Sequence, residues 1–176
     1  IFKPSEGKLW DTFVLRHEGR FYLFYLKYTN TAWDSYGLAV SDDALHWTDR
    51  GTILEPGPGT GTGMVYRAAD RWILTYCFGH PEANHVCLAE SDDLLHWKPM
   101  GPEYDLLPDP RWYDVDPNGS GTNGRWGDMW VEAKADGSGY WGFLTATDKS
   151  GQPSSNGAVG LAESPDGLHW SALPPA

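Results

Sequence analysis

Ser41-Asp42-Asp43-Ala44-Leu45-His46-Trp47 returns as Ser91-Asp92-Asp93-Leu94-Leu95-His96-Trp97 and again as Ser164-Pro165-Asp166-Gly167-Leu168-His169-Trp170. Three copies mark an internal repeat. Each copy follows a short apolar strand: Gly37-Leu38-Ala39-Val40, Val86-Cys87-Leu88-Ala89 and Val159-Gly160-Leu161-Ala162. Upstream of each lies a more aromatic strand: Phe21 to Leu26, Trp72 to Tyr76, and Tyr140 to Leu144. Ser and Asp suit the turn because their side chains accept bonds from backbone N–H groups two or three residues on. The Trp supplies an apolar face too large for one small sheet to bury, so it must pack on the next sheet. Repeats of about 40–50 residues and four strands that pack radially describe a β-propeller.

Composition agrees with an all-β chain: 176 residues, 40% apolar and 14% aromatic, with 21 Gly and 13 Pro, which points to many short strands and turns. No run approaches the roughly 18 apolar residues of a membrane span. The first residue is Ile1 rather than Met, so the start is missing or processed and the compartment is not readable. Lys and Arg number 13 against 24 Asp and Glu, a net charge of −11, which argues against nucleic-acid or anionic-membrane partners. Cys77 and Cys87 fall on the two strands of one hairpin; two buried thiols are the commoner reading of such a pair, a disulfide the other.

The repeat divides the chain into blade one (about 9–53), blade two (about 60–100), an insertion (about 101–124) and blade three (about 125–172). In a propeller the first strand of each blade lines the central channel. The first strand of blade one carries Asp11 in apolar company, and the first strand of blade three carries Asp128 at the matching place once a two-residue longer turn is allowed. Thr62, in the Gly-rich run 57–63, takes that place in blade two. Two acids converging on a channel mouth are what cleavage of a glycosidic bond requires. The other reading is that both satisfy backbone N–H groups, since repeats copy structural residues as readily as functional ones. Glu132 shares strand parity with Asp128, but four residues of strand carry it about 13 Å away, outside the roughly 5–9.5 Å of either glycosidase geometry, and it is not nominated. The Gly-rich run lacks the Lys and helix of a phosphate loop. The insertion holds Trp112, Tyr113 and the polar run 116–124. Long irregular loops are often binding loops; the polar run faintly resembles a calcium loop but lacks its closing Glu, and reads as a solvated turn.

These features together resemble the five-bladed propeller glycosidases: the invertase, levansucrase and arabinanase superfamily of glycoside hydrolase families 32, 43 and 68. The resemblance rests on Trp10-Asp11-Thr12, on Gly61-Thr62-Gly63 in the place of a Ser-Gly-Ser strand, on Arg125-Trp126-Gly127-Asp128-Met129 in the place of an Arg-Asp-Pro segment, and on the Ser-Asp turns. It implies Asp11 as nucleophile or general base and Asp128 as transition-state stabiliser or pKa modulator, with Trp10, Thr62, Trp112, Tyr113 and Arg125 as candidates for contacting sugar. It implies a carbohydrate substrate and no cofactor, and makes His46, His96 and His169 structural rather than a metal set. Gly127 interrupts the Arg-Asp pair and Met129 replaces the Pro. The family's general acid is a Glu in a fourth blade, so the chain reads as three blades of a longer polypeptide that supplies the rest. A carbohydrate-binding propeller without hydrolytic activity is the alternative; a phosphorylase would need basic residues that are scarce near the two Asp.

Overall fold

The computed structural model describes residues 2–29, 32–79, 84–115, 124–152 and 155–176. They form three four-stranded antiparallel sheets, each taken in chain order from inner to outer strand. Blade one is β1 (Lys8–His17), β2 (Arg20–Tyr28), β3 (Trp33–Ser41) and β4 (Thr48–Leu54). Blade two is β5 (Val65–Ala68), β6 (Arg71–Gly79), β7 (Asn84–Ser91) and β8 (Lys98–Pro99). Blade three is β9 (Trp126–Ala133), β10 (Tyr140–Thr147), β11 (Gly157–Ser164) and β12 (Ser171–Leu173). The architecture is all-β and propeller-like, and no helix among the described residues is long and apolar enough to cross a membrane.

The inner hairpins turn tightly because their loop residues adopt left-handed backbone. Glu18 and Gly19 (φ 47° and 80°) close the first and Ala69 and Asp70 (φ 49° and 60°) the second, the geometry whose twist matches that of paired strands. In the repeated turn, Asp43 accepts the N–H groups of Leu45 and His46, both at 2.8 Å, and its other oxygen meets His46 Nδ1 at 2.7 Å. Asp93 and Asp166 do the same for their own copies. The three histidines are thereby committed to their turns. The His46 ring and the N–H bonds hold the Asp43 carboxyl well below the usual range.

The blades cohere through two apolar cores, each lying between blades. β6 alternates between them: Trp72, Leu74 and Tyr76 join Phe24, Leu26, Tyr36 and Leu38 of blade one, while Ile73 and Cys77 join Trp126, Met129, Val131 and Leu144 of blade three. A strand with both faces buried is the sheet analogue of a core layer. The direction of the Trp packing differs from the expectation. Trp97 meets Phe24 edge-on at 5.9 Å and Trp170 meets Tyr66 at 6.5 Å, so each Trp wedges against the preceding blade.

The first part of the insertion is a strap. It enters through a 3-10 turn, Pro102–Tyr104, pairs Leu106 with Val86, and takes the Trp126 indole N–H on the Leu106 carbonyl at 3.1 Å. The polar run 116–123 lies outside the described residues. Both cysteines are free thiols, Cys77 buried and Cys87 partly so.

The third residue after each repeated Ser is left-handed: Ala44 (φ 61°), Leu94 (φ 65°) and Gly167 (φ 77°). Ala44 is exposed whereas Leu94 is 1% exposed. Ala44→Gly should therefore raise unfolding stability by about 0.5–1 kcal/mol by relieving the left-handed cost. Leu94→Gly should lower it by about 2–4 kcal/mol because the buried side chain outweighs the backbone gain. Denaturant titration of both variants checks the pair.

Candidate active site

Counting back from the last bond of each inner hairpin, six residues separate His17 from Asp11, Ala68 from Thr62 and Lys134 from Asp128. The three inner segments therefore present these residues at one level. In blades one and three the level is a β-bulge. Trp10 pairs with Leu26 and Thr12 with Tyr25, leaving Asp11 as the extra residue. On β9 the register slips between Trp130 opposite Phe143 and Gly127 opposite Thr145, so Asp128 and Met129 face Leu144 alone. Both acids are left-handed, Asp11 at φ 35° and Asp128 at φ 51°. Thr62 is not. Two non-glycine residues in this sparsely populated region at equivalent bulges are strain of the kind found where a side chain must be re-aimed.

Asp11 and Asp128 open onto the same hollow of ≈ 430 Å³, shared with Phe13, Thr62, Met129 and Trp130. The Thr62 hydroxyl donates to Asp11 Oδ2 at 2.8 Å. The Asp128 carboxyl is pushed above the usual carboxylate range, first by burial and then by the charge of Asp11; a Thr145 hydrogen bond and the Arg125 charge oppose the rise without cancelling it. Tyr36 lies beneath, fully buried, donating to the Gly61 carbonyl at 2.8 Å, and its hydroxyl is pushed up first by burial and further by the Asp128 and Asp11 carboxylates. Glycine is required in this floor. A Cβ on Gly63 would overlap the Thr75 carbonyl and one on Gly127 would overlap the Cys77 sulfur.

The other nominated residues separate. Arg125 stands on the Asp128 side, its N–H held by Thr147 Oγ1 at 2.8 Å. Trp10 is 61% exposed and is not among the residues lining the hollow, its ring tilted on Trp33 at 6.1 Å. Trp112 lies elsewhere, in a recess with Asp148, Lys149 and Pro175, and the Arg111 guanidinium covers its ring at 4.3 Å. Tyr113 is 1% exposed. Its ring packs on Trp126 at 4.6 Å and its hydroxyl donates to the Leu173 carbonyl and accepts the Leu161 N–H, which leaves it no surface for a ligand. Both belong to the strap, whose anchoring takes up the Tyr113 side chain and leaves Trp112 partly exposed beside its own recess. Trp130 and Phe13 were not nominated from the sequence, yet they line the hollow. Trp130 was legible, being two residues beyond Asp128 on the same strand face. Trp33 reaches Trp10 from another strand, which no local pattern signals.

No family model matches the chain, and no curated protein matches its sequence. Solved structures do match its fold. Sucrose-6-phosphate hydrolase from Lactobacillus gasseri aligns over 98% of this chain and 35% of its own, with TM-score 0.74 and 18% identity. Fructan 1-exohydrolase IIa from Cichorium intybus aligns over 99% and 33%, with TM-score 0.76 and 18% identity. Inulosucrase from Halalkalicoccus jeotgali, solved bound to kestose, aligns over 99% and 55%, with TM-score 0.70 and 21% identity. The chain spans about a third of the first two and just over half of the third. Its three sheets have the fold of part of the propeller found in these sucrose- and fructan-named proteins.

A carboxyl whose folded-state value is raised weakens the fold while ionised. That cost is fully present above the folded-state value and gone below the unfolded value of about 3.9. Asn tolerates the left-handed backbone at 128. Asp128→Asn should therefore melt higher than the natural chain at pH 7, with the gap closing as the pH falls below about 4. Calorimetry at the two pH values tests this; an equal gap at both would show that the Asp128 charge is not the source.

Proposed function

We propose that this chain carries three blades of a propeller glycosidase acting on a furanoside, with Asp11 and Asp128 as its catalytic carboxylates. The observation that carries the reading is the pair of equivalent bulges that aim both acids into one hollow. Asp11, with one oxygen held by Thr62, serves as the nucleophile or general base at the anomeric carbon. Asp128 lies beside it, and its charge develops value as the ring takes on oxocarbenium character. Arg125 offers donors to sugar hydroxyls, the Thr62 hydroxyl, its proton given to Asp11, offers an acceptor, and Trp10 stacks on the apolar face of a ring. The sucrose and fructan substrates in the names of the similar structures support a fructofuranoside-type substrate.

Protonation of the leaving oxygen needs a further acid, which we assign to a fourth blade in a longer polypeptide. Blade three supports such a neighbour. Trp130, Phe143, Leu161 and Leu173 lie directly opposite one another across its four strands, and Trp130 and Phe143 are 55% and 36% exposed. A contiguous apolar row on one sheet face marks a packing surface.

Turnover of a panel of aryl furanosides and pyranosides by a polypeptide that includes the remaining blades tests the assignment. Asp11→Asn and Asp128→Asn should each lower furanoside turnover by at least about 10²–10³-fold. Unchanged turnover in either variant would remove that residue from the chemistry. Sugar binding without turnover by the natural protein would assign the chain to the carbohydrate-binding class instead.

A further inference from the structure

We infer that Cys77 is a positioning residue that ties the two carboxylates of the hollow into one register. This rests on the reading of Asp11 and Asp128 as a functional pair, but its geometry is independent of any sugar. Cys77 lies on β6, between the inner segments of blades two and three, and touches neither carboxyl in the hydrogen bonds described. The bulge at Asp128 leaves that residue out of the regular ladder, and its N–H finds an acceptor in Cys77 Sγ at 3.0 Å. The same sulfur donates its S–H to the Thr62 carbonyl at 3.3 Å, and the Thr62 hydroxyl holds Asp11 Oδ2 at 2.8 Å. One atom thus connects the backbone of one acid to the residue that orients the other.

The surroundings are shaped around that sulfur. Cys77 exchanges two backbone hydrogen bonds with Gly61, Gly61 N to Cys77 O at 2.8 Å and Cys77 N to Gly61 O at 3.3 Å. A Cβ on Gly61 would stand 3.1 Å from Cys77 Cβ, and one on Gly127 would collide with Sγ. Glycines on both flanking segments let the backbone approach a large, polarisable atom that is both donor and acceptor. Burial pushes the thiol up to about 12. It therefore keeps its proton, and the S–H···O bond, throughout the neutral range.

The test is nuclear magnetic resonance of the 176-residue chain with Cys77→Ala, Cys77→Ser and Thr62→Val variants, at fixed pH. Cys77→Ala should make the Asp128 amide exchange about fivefold to tenfold faster, the loss of one hydrogen bond. It should also move the carboxyl carbon resonance of Asp11. A merely space-filling Cys77 would not produce that second change, and it should vanish when Cys77→Ala is made in the Thr62→Val background. Cys77→Ser keeps a donor and an acceptor and should hold the Asp128 exchange within about threefold of the natural chain. Unchanged Asp128 exchange and Asp11 resonance in folded Cys77→Ala overturns the inference, as does an Asp11 change that survives Thr62→Val. If Cys77→Ala does not fold, Cys77→Ser decides, and a tenfold loss of Asp128 protection there overturns it. These readouts involve no turnover, so a chain that binds and cleaves no furanoside loses the proposed function while the positioning role stands or falls separately.

Discussion

A four-stranded sheet with apolar side chains on both faces is unstable in water unless another sheet covers it, and this constraint organises the molecule. β6 expresses it most fully, sending Trp72, Leu74 and Tyr76 toward blade one and Ile73 and Cys77 toward blade three. Trp97 and Trp170 then wedge each blade against the one before it. Because the sheets are fixed face to face, their inner segments stand side by side. Residues at one level of the repeat, separated by fifty or more positions in the chain, become neighbours.

That proximity concentrates unfavourable terms at the hollow. Asp11 and Asp128 are both left-handed, and burial, with the charge of Asp11 adding to it, raises the Asp128 carboxyl above its ordinary range. Left-handed backbone at a non-glycine residue costs of order 1–3 kcal/mol and persists only where surrounding packing enforces it. Here the enforcing groups are the two inter-blade cores and a floor in which Gly63 and Gly127 admit no side chain. The site's strain is thus sustained by apolar burial a few ångströms away.

The two ends of the array differ. On blade one the chain's own beginning covers the outward face: Phe2 packs near Tyr25 at 5.6 Å, and Asp49 accepts the Ser5 N–H and hydroxyl and the Tyr25 hydroxyl. Blade three instead leaves the row from Trp130 to Leu173 open to solvent on one side. A radial repeat accounts for this asymmetry, since Trp97 and Trp170 face backward and nothing among the described residues covers the forward face of the third blade.

The Ser-Asp turns, the aromatic strand that precedes each and the common level of Asp11, Thr62 and Asp128 were all legible in the sequence, because a repeat prints its structural periodicity directly. So was the commitment of His46, His96 and His169 to local turns, since residues three apart need no tertiary contact to meet. The course of the strap was not legible, for the opposite reason. Whether Trp112 and Tyr113 face a ligand or a neighbouring strand depends on where the insertion crosses blade three, and no local pattern encodes that crossing. Only the folded packing brought Trp33 against Trp10, set Cys77 between Thr62 and Asp128, and turned the two acids into one hollow. Sequence spacing determines which residues share a level; the close approach of separate sheets, driven by burial of their apolar faces, decides which of them touch.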